Sequence, residues 1–281
     1  MFEAIATPGY YLHDIHQWMP LDQRDVASLA LECLTIATLN VWHSPDFFHQ
    51  RCHATLALLA SFHPDLIALQ EVSPAFLDQV LKTPWVQAAY HISDIYGSSV
   101  DPYGVLLLSR FPIGDWQLLA LPSAMGRHLV TAHALLNGTV TTFASVHLES
   151  FSHATPTRAK QLARIFRHLA PDQHVILTGD FNFCSTWDEN QQLDPAYQDI
   201  WAALHPEQAG FTEDTERNTM RLLHTGKPKQ VRFDRMLLRS RPPGWQAEAI
   251  ELIGTEPIAS STPDIFPSDH FGLVSRLRWQ T

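Results

Sequence analysis

From Leu34 onward the apolar residues fall into two periodicities. Continuous or alternating apolar runs predict strands over 34–41, 65–71, 104–109, 116–121, 128–136, 139–148 and 174–180. Later runs over 232–238, 247–252 and 271–279 complete the predicted sheet content. Helical spacing of Phe48, Cys52, Leu56 and Leu59 predicts a helix over 47–62. Pro74 opens a second helix, where its missing N–H costs no hydrogen bond. A third spans 157–169, between Pro156 and Pro171, and a short one falls around 196–204. Asn137-Gly138 tolerates positive φ at both residues and predicts a tight hairpin. The rest of 183–231 reads as loop. Strand–helix–strand units around a central hairpin predict two packed sheets covered by helices.

Residues 1–33 lack this regularity and carry Tyr10, Tyr11 and Trp18. They read as a lead-in packed on a domain formed by 34–281. No repeat or linker interrupts that domain. A 45% hydrophobic content over 281 residues fills a sizeable core. Lys plus Arg is 19 and Asp plus Glu is 29, for a net charge of -10. Such a chain repels polyanions at long range, so a nucleic-acid contact needs a local basic patch or a short end. The odd set Cys33, Cys52 and Cys184 argues against a disulfide framework or a zinc site and suits a reducing compartment. Met1 to Pro20 carries Glu3 and Asp14 without a long apolar run, unlike a signal peptide. No stretch approaches the roughly 20 apolar residues of a membrane span. A soluble, monomeric, cytoplasmic protein is expected, or a nuclear one in a eukaryote.

Polar residues collect where apolar strands end. Asn40, Glu71, His147, Glu149, Asp180 and Asn182 follow strands, and Asp269 with His270 precedes the last one. Each alone has an ordinary structural role. Asn40 suits a turn, Glu71 the first turn of a helix, Asp180 a cap, and His147 a satisfied imidazole. The ordered set is more specific. Thr38-Leu39-Asn40, Leu69-Gln70-Glu71-Val72, Gly179-Asp180-Phe181-Asn182 and Ser268-Asp269-His270 resembles the endonuclease/exonuclease/phosphatase superfamily. Further segments resemble its tyrosyl-DNA phosphodiesterase 2 branch. They are His147-Leu148-Glu149-Ser150, Arg158 with Gln161, Arg232-Phe233-Asp234-Arg235, and the run from Phe266 to Leu273. The resemblance extends from about Leu34 to the C-terminus.

It implies an α/β, four-layer α-β-β-α sandwich of the DNase I type, with two mainly antiparallel sheets between helices. It also implies a Mg²⁺-dependent phosphodiesterase, with Mn²⁺ able to substitute. Glu71 and Asp269 are the implied metal residues, and hard carboxylate oxygens suit that ion. Asp180 would orient and deprotonate water, and Asn182 and Asn40 would hold phosphoryl oxygens or steady Glu71. His270 would hold the phosphate as an imidazolium oriented by Asp234, with His147 and Ser150 beside it. Tyr103, Asn218 and Arg232 are further substrate-side positions in this resemblance.

The implied substrate is a 5′-phosphotyrosyl-DNA or related nucleic-acid end, which would place the protein in DNA repair. Other readings are a nuclease, an abasic-site endonuclease, a phosphatase or phospholipase on lipid or sugar phosphates, or a silent binding module. A basic cluster favours nucleic acid: Arg217, Arg221, Lys227, Lys229, Arg232, Arg235, Arg239 and Arg241 flank a lone Asp234. Three positions depart from the family. Leu39 and Glu213 stand where Trp is usual, and Cys184 where Arg is usual. Glu213 in a channel wall removes stacking surface and adds repulsion toward phosphates. His49 and His53 have helical spacing but no evident third ligand, so zinc is not expected there.

Overall fold

The computed structural model describes residues 7–21, 28–258 and 264–281. The parts of the expected lead-in at 1–6 and 22–27 lie outside the described residues. In chain order the strands are β1 (Gly9–Leu12), β2 (Gln17–Pro20), β3 (Cys33–Asn40), β4 (Leu66–Val72), β5 (His91–Ile92), β6 (Gly104–Ser109), β7 (Gly114–Ala120) and β8 (His128–Leu136). They continue as β9 (Thr139–His147), β10 (His174–Asp180), β11 (Gln198–Asp199), β12 (Glu213–Asp214), β13 (Gln230–Val231), β14 (Asp234–Arg239), β15 (Gly244–Ile253) and β16 (Gly272–Gln280). The α-helices are α1 (Phe48–Phe62), α2 (Pro74–Lys82), α3 (Pro84–Ala89), α4 (Thr155–Leu169), α5 (Ile200–Leu204) and α6 (Thr219–Thr225).

One sheet has eight strands in the order β15-β16-β3-β4-β6-β5-β1-β2, and the other six, β11-β14-β10-β9-β8-β7. A two-stranded ribbon, β12-β13, stands apart. Pairing is antiparallel except for β3 with β4 and β9 with β10. Strand alternation builds three apolar layers. Leu66, Ala68, Val105 and Leu107 meet Val130, Ala132, Phe143 and Ile176 between the sheets. Ile67, Leu69, Leu106 and Leu108 point the other way, into Leu56, Leu59, Phe76 and Val80 of α1 and α2. On the far side Val146, Val175 and Leu177 pack on Leu162, Ile165 and Leu169 of α4. Because both faces of these strands are buried, they read as continuous apolar runs in the sequence. The four-layer sandwich expected from the motifs is the observed architecture.

The differences are local. β1 and β2 form a hairpin on the edge of the larger sheet, where Gly9 pairs with Ile92. α4 starts at Thr155 and takes Pro156 into its first turn. The helix expected over 196–204 shrinks to α5, because Gln198 and Asp199 pair with Leu238 and Leu237 of β14. β14 begins at Asp234, so Arg232 and Phe233 precede it. Ribbon β12-β13, α3 and α6 lie in stretches whose sequence shows no periodicity. Among the described residues no helix is long and apolar enough to cross a membrane.

Candidate active site

The same end of both sheets carries the polar residues. Register places Asp180 directly beside His147 of β9 and Asp234 of β14. Gly179 makes that close approach possible. Its φ is +129, and a Cβ there would lie 2.0 Å from the Val146 carbonyl oxygen. On the facing sheet, β3 ends at Asn40, paired with Gln70. Pairing of β4 with β6 then slips between Leu69 and Val72, and Glu71 adopts a φ of 58. The bulge turns the Glu71 carboxylate into a cavity of about 770 Å³. That cavity also takes His147, Asp180, Asn182, Asp269 and His270.

Asp180, Asp234 and His270 bring one donor atom each to within 4.8 Å of one another. His270 Nδ1 meets Asp234 Oδ2 at 2.8 Å. Burial works against the His270 charge, but Asp234 and Asp269 hold its pKa well above the usual histidine value. Burial and the neighbouring Asp234 charge push the Asp180 carboxyl up to about 7. The Asn182 backbone N–H donates to Asp180 Oδ1 at 2.8 Å. The Asn182 amide itself donates to the Leu148 carbonyl at 3.1 Å, which fixes its plane at the cavity wall.

Asn40 joins the two sheets. Its Nδ2 donates to Glu71 Oε1 and to Asp180 Oδ2, each at 3.1 Å. Ser268 Oγ donates to the Asn40 carbonyl at 2.5 Å and so pins the loop carrying Asp269 and His270. Burial opposes the Glu71 charge, yet hydrogen bonds from His43 and the nearby imidazoles hold its pKa far below the usual range. Asp269, more deeply buried, is shifted upward, and Arg221 Nη1 faces its Oδ2 at 3.1 Å.

Three residues without a local motif complete the cavity. His43 bonds Glu71 Oε2 through its backbone N–H at 3.0 Å and also through Nδ1. Its ring stacks on Tyr103 with centroids 4.3 Å apart and an interplanar angle of 14°. Arg127 is buried, faces both His147 ring nitrogens at 3.1 and 3.2 Å, and donates to Ser150 Oγ at 2.9 Å. Its guanidinium lies 5.4 Å from the Tyr103 ring centroid, and its buried Nε has no hydrogen-bond partner. Burial and the Arg127 charge keep His147 neutral, well below the usual pKa. Arg127 is therefore a buried cation among neutral groups, a setting completed by an anionic ligand. The third residue is Arg221, on α6.

Two expected substrate residues turn elsewhere. Arg232 Nη1 bonds both Asp199 carboxylate oxygens at 2.8 Å, outside the cavity wall. Asn218 is fully buried, caps α6 by accepting from the Arg221 N–H, and donates to the Ser268 carbonyl at 2.8 Å. It supports the motif loop from behind. The basic cluster divides likewise. Arg221, Lys227 and Lys229 line the cavity. Arg235 and Arg239 are buried on carbonyl and carboxylate partners. Glu213 does not confront the substrate as a bare charge. It is buried against Arg221 Nε at 2.7 Å and Lys229 Nζ at 2.6 Å. Cys184 is buried and accepts from Thr186 Oγ1 at 3.4 Å.

The chain is similar to known proteins. Tyrosyl-DNA phosphodiesterase 2 of Xenopus laevis is 30% identical over 241 residues, covering 80% of this chain and 61% of that protein. The chain thus spans about three fifths of the curated relatives it matches. The crystal structure of humanized D. rerio tyrosyl-DNA phosphodiesterase 2 superposes with a TM-score of 0.75 at 26% identity, covering 88% of this chain and 100% of the other. The D. rerio protein complexed with single strand DNA product gives a TM-score of 0.76 at 24% identity, covering 88% and 99%. The sequence profile of the Endonuclease/Exonuclease/phosphatase family matches residues 37–270, from the strand that carries Asn40 to His270 itself. The chain belongs to that family.

Proposed function

We propose that this protein is a divalent-metal-dependent phosphodiesterase that hydrolyses nucleic-acid ends, with 5′-phosphotyrosyl DNA as its substrate class. One observation carries the chemistry: Asp180, its carboxyl pushed up to about 7, stands abreast of the Asp234–His270 pair inside the cavity. A carboxylate with that pKa is half-ionised near neutrality, where general-base catalysis is most effective. It takes the proton of the attacking water. His270, held protonated by Asp234, contacts the phosphoryl oxygens as charge builds. Arg127 and the Asn182 amide edge add donors on the other side. A tyrosine phenolate, with an ordinary pKa of about 10, departs with less protonation than a sugar alkoxide needs.

Glu71 and Asp269 fit a Mg²⁺ or Mn²⁺ ion. Both line the cavity, both offer hard oxygens, and Glu71 is held ionised. Such an ion, when bound, supplies positive charge to the phosphate oxygens. Asn40 keeps Glu71 and Asp180 at a set separation, so the metal and base positions stay in register. The tyrosyl-DNA phosphodiesterase 2 relatives, and the fold shared with the protein holding a single strand DNA product, support the substrate class. Residues 34–281 form the catalytic unit in this reading, with residues 7–21 and 28–33 packed upon it.

The test is a panel assay with Mg²⁺ on 5′-phosphotyrosyl DNA, abasic DNA, plain single strands, sphingomyelin and inositol phosphates. Asp180→Asn serves as the control. Release of tyrosine from the first substrate, lost in the control, is the expected result. Turnover confined to the lipid or inositol substrates would reject the nucleic-acid reading.

A further inference from the structure

The cavity wall formed by ribbon β12-β13 and α6 is ionic. Glu213, on β12, has a side chain only 1% exposed and holds two cations. Arg221 Nε lies 2.7 Å from one oxygen and Lys229 Nζ 2.6 Å from the other. Arg221 reaches onward through Nη1 to Asp269, at 3.1 Å. Both cations remain open to the cavity, with side chains 17% and 36% exposed, and Lys227 joins them there. The buried carboxylate fixes two long, flexible side chains before any ligand arrives, which removes most of the ordering cost of binding. Burial opposes the Glu213 charge, but His270, Arg221 and Lys229 keep it ionised.

One aromatic ring of this wall already has a cation over it. Lys229 Nζ sits 4.3 Å from the Phe233 centroid. Trp187 meets Phe233 edge-on at 74°. A nucleobase approaching Phe233 therefore finds the Lys229 ammonium where a stacking face would be.

Resting on the nucleic-acid reading above, we propose that this wall is a second anion subsite. It binds the next phosphate along the strand, one sugar from the reacting phosphate, and it does not read the intervening base. Arg221, Lys227 and Lys229 supply the contacts, and Glu213 is the positioning residue that orients two of them. Contact with Asp269 places the subsite beside the reacting centre.

The experiment is calorimetric binding of thymidine 3′,5′-bisphosphate, thymidine 5′-monophosphate and the base-free sugar bisphosphate to the intact protein. The bisphosphate should bind about tenfold more tightly than the monophosphate, as for one charge-assisted contact. Removing the base should change affinity by less than about threefold, unlike a base lost from an aromatic platform. Lys229→Met should bring the two nucleotides close to equal affinity and flatten the salt dependence of bisphosphate binding. Glu213→Gln should do the same while its thermal transition shows that it is folded. Equal wild-type affinity for both nucleotides overturns the proposal, as does a larger loss from removing the base than from removing the 3′-phosphate. Binding is read without turnover, so an inactive protein would count against the phosphodiesterase reading alone.

Discussion

Asp234 and His270 come from different sheets and meet at 2.8 Å across the seam between them. The bond joins the first residue of β14 to the loop that enters β16. Asp234 is also the neighbour that, after burial, raises the Asp180 carboxyl. One carboxylate thus keeps the imidazole charged and the base weakly acidic.

Asp234→Asn should lower turnover by roughly two orders of magnitude or more, as the imidazolium loses its orienting partner. The His270 pKa, followed by NMR, should fall toward the ordinary value. Burial alone lowers it, and Asp234 is the first of the charges that oppose this. An unchanged His270 titration would show that the pair is not coupled.

The pH profile follows from Asp180. The base works deprotonated, so kcat/KM should rise with pH through about 7. Replacing Asp234 with Asn removes a charge that raises this pKa, so the rising limb should move to lower pH. A limb left in place would assign it to another group.

Asp180 also carries a stability cost. Its folded pKa of about 7 exceeds the ordinary 3.8, so the folded state binds the proton more tightly. The site is therefore most stable below the unfolded pKa, and stability falls as pH rises from there to about 7. Asp180→Asn should abolish turnover yet raise stability at pH 7. The gain should be on the order of 1–2 kcal/mol, less than the charge alone would give, since the new amide faces the Asn40 amide. Urea unfolding at acid and neutral pH should show the gain only at the higher pH.

Divalent binding should follow Glu71. Glu71→Gln should weaken Mn²⁺ binding, read by electron paramagnetic resonance, at least roughly tenfold. Chelation should stop wild-type turnover, and Mg²⁺ or Mn²⁺ should restore it. Unweakened Mn²⁺ binding in Glu71→Gln would move the metal position elsewhere, with the close group Asp180, Asp234 and His270 as the next place to look.

Gly179→Ala tests the backbone that carries Asp180. The added methyl would meet the Val146 carbonyl oxygen at 2.0 Å, on a residue with φ +129. A loss of roughly 2–4 kcal/mol in stability is expected, with turnover falling as well. Wild-type stability would show that β9 and β10 separate easily there.

Much of this arrangement was legible from residue order. β6, β8 and β10 stand where their apolar runs place them, because strands buried on both faces need apolar residues throughout. Asn40, Glu71, Asp180 and His270 converge because each ends or precedes such a strand. His43 and Arg127 were not legible, since their partners Glu71 and His147 lie on neighbouring strands 28 and 20 positions away, and Arg221 stood out only as one member of a basic cluster. Arg232 sits two positions from Asp234 in sequence, but its side chain is taken by Asp199, and that of Asn218 by the Ser268 carbonyl. Ribbon β12-β13 pairs only two residues per strand, too few for any period to register. Glu213 misled for a related reason, because the cations that neutralise it lie 8 and 16 positions away on separate elements.

The ionic wall has a genetic consequence. Glu213, Arg221, Lys227 and Lys229 occupy one short stretch between α5 and β14, whereas the reacting groups are spread along the chain from Asn40 to His270. That stretch is anchored to the catalytic frame by Thr212, whose hydroxyl accepts the Asp234 N–H at 3.0 Å, by Asn218 at the Ser268 carbonyl, by Arg221 at Asp269 and by Met220 beside Phe266 and Phe271. Exchanges at Lys227 and Lys229, which are not among those anchors, can alter the anion preference of the wall and leave the reacting groups in place. The cationic face of the wall is thus open to deliberate grafting in the laboratory on a retained scaffold.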